Sequence, residues 1–309
     1  MALHRLLEMR VGVPDAEGLA GFYGEVGLTH DGNGGYTGTE GGAVVQVEHH
    51  SFRRLLQVVI GATDERDLTD AAQRLADRGL SPTLAHGELS VIDPHTMVTF
   101  RLRVAERFEQ AARQPHLDNA PGAAVRRNRR ADGVFGSARP PRRLGHMVIG
   151  STDLAATRDL LVQGLGFRVS DDMSPFIAFL RCSTDHHNIG VVNTPVPLLQ
   201  HYSWECDDVD HVGHTATALL RADTDRHTWG FGRHFIGSNY FWYLRDPSGS
   251  LVEFYSDMDV IDDDDEWERV GRTPVELHHV ANSWGPRMPA EFVKPADLEQ
   301  LQAAWAAKA

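Results

Sequence analysis

An α+β fold of four βαβββ modules, paired into two domains, is what the sequence predicts, and three observations carry that expectation. A short apolar strand, an acidic residue and an amphipathic helix recur four times along the 309 residues. Within each half the copies stand about 50 residues apart, room for one βαβββ module each. The two halves also match one another. Leu55-Leu56-Gln57 corresponds to Leu198-Leu199-Gln200, which brings Asp64 level with Asp207 without a gap. Residues 93–100 then correspond to residues 246–254 with one residue fewer. Two modules side by side make a strongly curved sheet of eight strands that can enclose a small site.

Each element has a local cause. The first module opens with an apolar strand over residues 6–13, then Asp15 as helix cap and Leu19, Phe22, Tyr23 and Val26 at helical spacing. In the second, residues 55–60 precede Asp64 and Asp67, then Leu68, Ala71, Ala72 and Leu75, closing at Gly79. The third runs from residues 144–149 through Asp153 to Leu154, Leu160 and Leu161, and stops at Gly164 and Gly166. The fourth has residues 201–206, Asp207 and Asp208, then Val209, Val212, Ala216, Leu219 and Leu220. An aspartate ahead of an apolar helix accepts from backbone N–H groups that have no partner, and a glycine after it permits the left-handed stop. Helices with one apolar face lie against a sheet.

These modules give an N-terminal domain over residues 1–103 and a second domain over residues 142–260, where the chemistry-bearing side chains lie. Residues 104–141, rich in Arg, Pro and Ala, read as a linker with a short helix over 106–113. Residues 262–266 read as an exposed acidic turn, and residues 261–309 as a tail ending in a helix over 296–308 that packs across a domain or a neighbouring chain. A formal net charge of −13 argues against a nucleic-acid surface, and Arg126-Arg127-Asn128-Arg129-Arg130 is a local, solvated loop. Two cysteines, Cys182 and Cys206, supply no disulfide framework and fit a reducing cytoplasm. No apolar run approaches a membrane span and residues from Met1 onward lack a signal-peptide pattern.

The chain organises itself around residues 232–254. Asp246-Pro247-Ser248-Gly249 is a turn between aromatic and β-branched arms, hence a hairpin. Alternation lets Tyr243 and Glu253, on opposite arms, both face inward, together with Phe241, Leu251 and Tyr255. An inward carboxylate among apolar residues is expensive unless something pairs with it. If paired modules share one cavity, their first strands face each other across it, carrying His146 and His201. Two imidazoles and one carboxylate directed at one centre form a facial triad that suits ferrous iron and leaves positions open. A lone strand histidine is more often a hydrogen-bonded core residue, but three groups at equivalent strand positions of a repeat point to a metal. The first half serves as a control: its matching positions hold Glu8 (or Met9), Val58 and Thr99, which make no such site.

Leu144-Gly145-His146, Leu199-Gln200-His201-Tyr202, Gly232-Arg233-His234 and residues 246–254 together resemble the two-domain extradiol catechol dioxygenases of the vicinal oxygen chelate (glyoxalase/bleomycin-resistance-like) superfamily. The resemblance spans nearly the whole chain and is specific as a combination. It implies that His146, His201 and Glu253 hold Fe(II), with Mn(II) the alternative, and that dioxygen is a co-substrate. It implies His187 as the acid/base histidine, and His234 and Tyr243 as a hydrogen-bonding pair that also touches substrate. Of the adjacent His186 and His187, His187 faces the cavity and His186 the outer face; His49-His50 and His278-His279 have no catalytic role. The activity implied is ring cleavage of a substituted catechol beside its diol, with both oxygen atoms entering the product.

Val148, two residues past His146 on the same face, and Phe179 on a neighbouring strand are the expected apolar walls of the substrate pocket. Biphenyl-type members of the family often carry Asn-Asp where this chain has Ile236-Gly237, which leaves monocyclic and bicyclic catechols both open. Expected partners are a small aromatic diol and further copies of the chain, with no nucleic acid and no membrane. Two rivals keep the fold. One is a metal-dependent isomerase or transferase of the same superfamily, which usually recruits another carboxylate. The other is a metal-free protein that binds an aromatic ligand. A nucleotide-binding reading fails, because the glycine-rich residues 32–42 lack the Gly-Lys-Ser/Thr that holds phosphates.

Overall fold

The computed structural model describes residues 2–112, 118–131, 137–271 and 281–308. Its strands form two mixed sheets of eight, one from each half. In the first, β1 (Leu3–Val13), β2 (Thr29–His30), β3 (Gly35–Gly38) and β4 (Gly41–His49) belong to one module. The strands β5 (Arg54–Ala62), β6 (Thr83–Ala85), β7 (Glu88–Ile92) and β8 (Thr99–Val104) belong to the next. The second sheet repeats this with β9 (Arg143–Ser151), β10 (Arg168–Met173), β11 (Ile177–Arg181) and β12 (Ile189–Asn193). It is completed by β13 (Leu198–Glu205), β14 (His227–Arg233), β15 (Tyr240–Arg245) and β16 (Leu251–Ser256). The orders β2-β3-β4-β1-β5-β8-β7-β6 and β10-β11-β12-β9-β13-β16-β15-β14 are the same order twice, so the four βαβββ modules do pair within each half.

One helix follows the first strand of each module: α1 (Ala16–Val26), α2 (Glu65–Ala76), α3 (Leu154–Asp159) and α4 (Val209–Ala222). All four start on the expected aspartate. Asp15, Asp64, Asp153 and Asp208 accept from the backbone N–H of Gly18, Arg66, Ala156 and His211, and Asp64 with Asp67 makes a reciprocal capping box. The third helix widens into a π-helical stretch, Leu160–Leu165, and stops at Gly166, whose φ of 97° is left-handed and favours glycine. Leu19, Phe22 and Val26, Leu68 and Leu75, Leu160 and Leu161, and Val212 and Leu219 all join one buried core that runs through both halves. Full burial of each such side chain stabilises the fold by about 1.5–3 kcal/mol.

The two halves meet through a repeated device. Asp93, in the Asp-Pro turn of the first half, accepts from its own Thr96 and from Thr157 of α3, both at 2.7 Å. Asp246, in the matching turn of the second half, accepts from Tyr202 at 2.9 Å, whose ring meets Tyr23 of α1 edge-on at 6.2 Å.

The tail departs from expectation in detail. Its helix spans Leu298–Ala306, and buries Leu298 and Leu301 against Phe52 of the first half and Leu198 of the second. Arg53 clamps it with a bidentate pair to Asp297 at 2.6 and 2.8 Å while donating to the Leu199 carbonyl at 3.0 Å. The helix expected over 106–113 is absent from residues 106–112, and residue 113 lies outside the described residues. The acidic turn is exposed as expected at Asp262, Asp263, Asp265 and Glu266, and only its middle residue turns inward. Asp264, in the short helix Asp264–Glu266, pairs with Arg168 and with Arg181, whose side chain is 2 % exposed, because a buried guanidinium needs an anion. Among the described residues no helix is long and apolar enough to cross a membrane.

Candidate metal centre

Strand alternation builds the site. On β9, Met147 and Ile149 join the core under the helices, so His146 and Val148 face the concave side. On β13, Tyr202 and Trp204 join that core, and His201 and Ser203 turn the other way. The β9–β13 ladder shifts register between Leu199 and His201, and Gln200 is the extra residue of that bulge. Glu253 stands directly against Ser203 on one side and Tyr243 on the other, so the hairpin brings its carboxylate to the two histidines from the strand beside β13.

His146, His201 and Glu253 are all buried, and one ligand atom from each lies within 4.8 Å of the others. His146 Nε2 is 2.8 Å from Glu253 Oε2, and His201 Nε2 is 3.6 Å from the same oxygen. Buried though it is, His201 Nε2 has no hydrogen-bond partner. Its other nitrogen, Nδ1, bonds Gln200 Oε1; an amide oxygen only accepts, so Nδ1 carries the proton and Nε2 keeps a lone pair. An unsatisfied buried nitrogen costs free energy that a cation would recover. Two imidazole nitrogens and one carboxylate fit a divalent metal of the iron or manganese type.

The electrostatics agree. Burial alone would raise the Glu253 carboxyl, but His146 beside it, which also hydrogen-bonds it, holds it well below the usual carboxylate range. Ser203 Oγ donates to its Oε2 at 2.6 Å and Asn239 Nδ2 to its Oε1 at 3.1 Å, which leaves an oriented anion. His201 is lowered to about 3, chiefly by burial, so its ring is neutral, the form that binds metals. Burial, then His146 and His186, lowers His187 well below the ordinary histidine value.

His187 lies beside the cluster, with its ring 4.3 Å from that of His146 and 5.0 Å from Phe179. His234 Nε2 and the Tyr243 hydroxyl are 2.9 Å apart, and His234 Nδ1 donates to the Ala281 carbonyl, so Nε2 accepts from the phenol. Burial, then Glu253, raises Tyr243 well above the ordinary phenol value, so it stays a protonated donor. All of these line one cavity of about 470 Å³, whose walls include Val148, Phe179, Ile177, Ile236, Trp229 and Phe292.

Two expectations need correction. His186 does not lie on an outer face: it is fully buried, 3.0 Å from His187 Nδ1 and 2.8 Å from Asp171, because the loop carries both rings inward. Val58 is not the counterpart of His201, since it points into the helix-side core; opposite Thr99 stands Gln57, as Ser203 stands opposite Glu253. His49 and His50 bond to Pro14 and Phe52 carbonyls away from the cavity, and residues 278 and 279 lie outside the described residues. Gln200, Ser203, Asn239 and Asp171 were not singled out by the sequence. Ser203, two past His201 on the same strand face, carried a signal for it.

Residues 143–254 match the family model described as Glyoxalase/Bleomycin resistance protein/Dioxygenase superfamily. Metapyrocatechase 2 of Cupriavidus necator is 35% identical over 50% of this chain and 48% of its own. A manganese-dependent 2,3-dihydroxybiphenyl 1,2-dioxygenase of Geobacillus genomosp. 3 is 29% identical over 48% of this chain and 50% of its own. The chain thus spans about half the length of the curated relatives it matches. The fold is shared with solved structures, among them a Mn(II)-bound glyoxalase from Novosphingobium aromaticivorans. That structure is 22% identical with a TM-score of 0.68, covering 93% of both chains.

Proposed function

We propose that the chain is an extradiol ring-cleaving dioxygenase of substituted catechols, dependent on Fe(II) held by His146, His201 and Glu253, with Mn(II) the alternative. The observation that carries this reading is the lining of one apolar cavity by His146, His201, His187 and the His234–Tyr243 pair, with a Glu253 carboxylate oxygen within 4.8 Å of a ring nitrogen of each of the first two. Dioxygenases named for catechols or dihydroxybiphenyl among the relatives support it. The isomerase reading wants a further carboxylate at the metal, and the cluster among the described residues holds one.

Bound there, the metal would supply acidification of a vicinal diol and an open place for dioxygen. The protein supplies the rest. Val148, Phe179, Ile236 and Phe292 would hold the aromatic ring and exclude water, which strengthens every polar contact inside. The Tyr243 hydroxyl would turn from His234 Nε2, which holds it in place without substrate, to donate to a diol oxygen. His187 Nε2, the ring nitrogen not engaged by His186, would take the diol proton and return it as the ring opens. Among the described residues the cavity carries no Lys or Arg, which favours uncharged catechols with apolar substituents over carboxylated ones. The buried free thiols Cys182 and Cys206 favour a reducing compartment such as the cytoplasm.

Anaerobic loading with Fe(II) or Mn(II), followed by oxygen uptake on a catechol panel, tests the reading. The expected result is stoichiometric uptake with a yellow product from 3-methylcatechol or 2,3-dihydroxybiphenyl, and far less from 3,4-dihydroxyphenylacetate. A stoichiometric metal with no uptake on any diol would overturn it.

A further inference from the structure

Behind His187 lies a chain of buried polar groups that the ring-cleavage reading does not use. Asp171, on β10, has a side chain 17% exposed and also lines a separate surface pocket of about 250 Å³. Its Oδ2 is 2.8 Å from His186 Nε2. The His186 ring has no exposure to solvent, and its Nδ1 is 3.0 Å from His187 Nδ1. The link is held from several sides. The His186 N–H donates to the Asp259 carbonyl at 2.9 Å, Ser170 Oγ donates to the His186 carbonyl, and the rings of Phe179 and Trp267 meet its imidazole edge-on.

Hydrogen-bond polarity along this chain is forced from its outer end. A carboxylate only accepts, so His186 Nε2 must donate to Asp171. With a single proton on the His186 ring, that proton sits on Nε2, Nδ1 keeps a lone pair, and His187 Nδ1 donates to it. That leaves the lone pair of His187 on Nε2, the nitrogen available to the cavity that His187 lines. We propose that Asp171 and His186 are positioning residues that lock His187 in the tautomer able to accept a proton from substrate. The assignment rests on the dioxygenase reading for its chemistry and on hydrogen-bond geometry for the tautomer. In proton balance, an O–H bond of the diol breaks and an N–H bond forms at His187 Nε2. The positive charge is shared with His186 and faced by the Asp171 carboxylate, and the same proton leaves with the product. The logic is that of an aspartate orienting a catalytic histidine, with one more imidazole interposed.

The test compares wild type with Asp171→Asn and Asp171→Glu, each loaded with Zn(II) as a diamagnetic probe and then with Fe(II). Long-range proton–nitrogen spectra read the imidazole tautomers, and His187 is identified as the signal set missing from His187→Phe. Wild type is expected to show His187 protonated at Nδ1 and bare at Nε2. In Asp171→Asn the amide donates to His186, reverses the chain and moves the His187 proton to Nε2, and Asp171→Glu restores it. With Fe(II), kcat should fall by about 10²–10⁴-fold in Asp171→Asn, with KM and bound metal little changed. A wild-type His187 protonated at Nε2 overturns the proposal whether or not the variants fold, and so does an unchanged tautomer in Asp171→Asn. If the spectra behave as expected but no Fe(II)-loaded protein cleaves a diol, the tautomer lock stands and the dioxygenase reading falls.

Discussion

The two halves have one topology and opposite interiors. On the concave side of the first sheet, Glu8 accepts from Arg10 at 2.9 Å and from Gln57 at 2.9 Å, and Glu88 pairs with Arg101 at 2.7 Å. These groups are partly open to solvent and satisfy one another. In the second sheet the same side holds two buried imidazoles, a buried carboxylate and two ring nitrogens with no hydrogen-bond partner, His146 Nδ1 and His201 Nε2. The fold supplies a scaffold that brings three strands to one point, while the charge balance of the inward side chains decides whether the point stays idle. An unbalanced, buried donor set is a site; a balanced and wet one is a surface.

That contrast can be pressed with variants, beginning with the largest effect. His187→Phe should keep one metal per chain and lose about 10²–10⁴-fold in turnover, as read by metal analysis beside oxygen uptake. Retained turnover would remove His187 from the chemistry. Gln200→Leu should weaken metal binding by about 10–100-fold in a competitive chelator titration, because nothing then fixes the His201 proton on Nδ1. An equal affinity would mean that the bulge alone orients the ring. Leu301→Ala should lower stability by about 2–5 kcal/mol in denaturant unfolding, since the tail helix closes both halves through that contact. Glu8→Gln, in the idle half, should change stability by no more than about 0.5 kcal/mol and leave metal affinity untouched.

Most of the fold was legible because it repeats. Four aspartate-capped helices at matched spacing and the Asp-Pro turns in both halves left little freedom, and period-2 alternation put Glu253 and Tyr243 on one face. The candidate triad was legible for the same reason: its members sit at corresponding strand positions. An ungapped match at Gln57 makes Val58 the counterpart of His201, whereas the strand ladder depends on bulges that leave no mark in composition. Adjacency predicts that only one of His186 and His187 turns inward, but both sit in a loop where two neighbours can do so. The groups that tune the site, Gln200, Asn239 and Asp171, were not legible. Each acts through one hydrogen bond to a residue brought close only by folding, and no spacing rule announces such a contact.

One half of the chain is expected to bind an ion, and its topological twin is not. Metal stoichiometry measured on anaerobically loaded wild type, His146→Ala, His201→Ala, Glu253→Ala and Glu8→Ala tests it most directly. One ion per chain in wild type and Glu8→Ala, and none in the other three, is the predicted result. A full complement of metal in any of those three, or its loss in Glu8→Ala, would contradict the account.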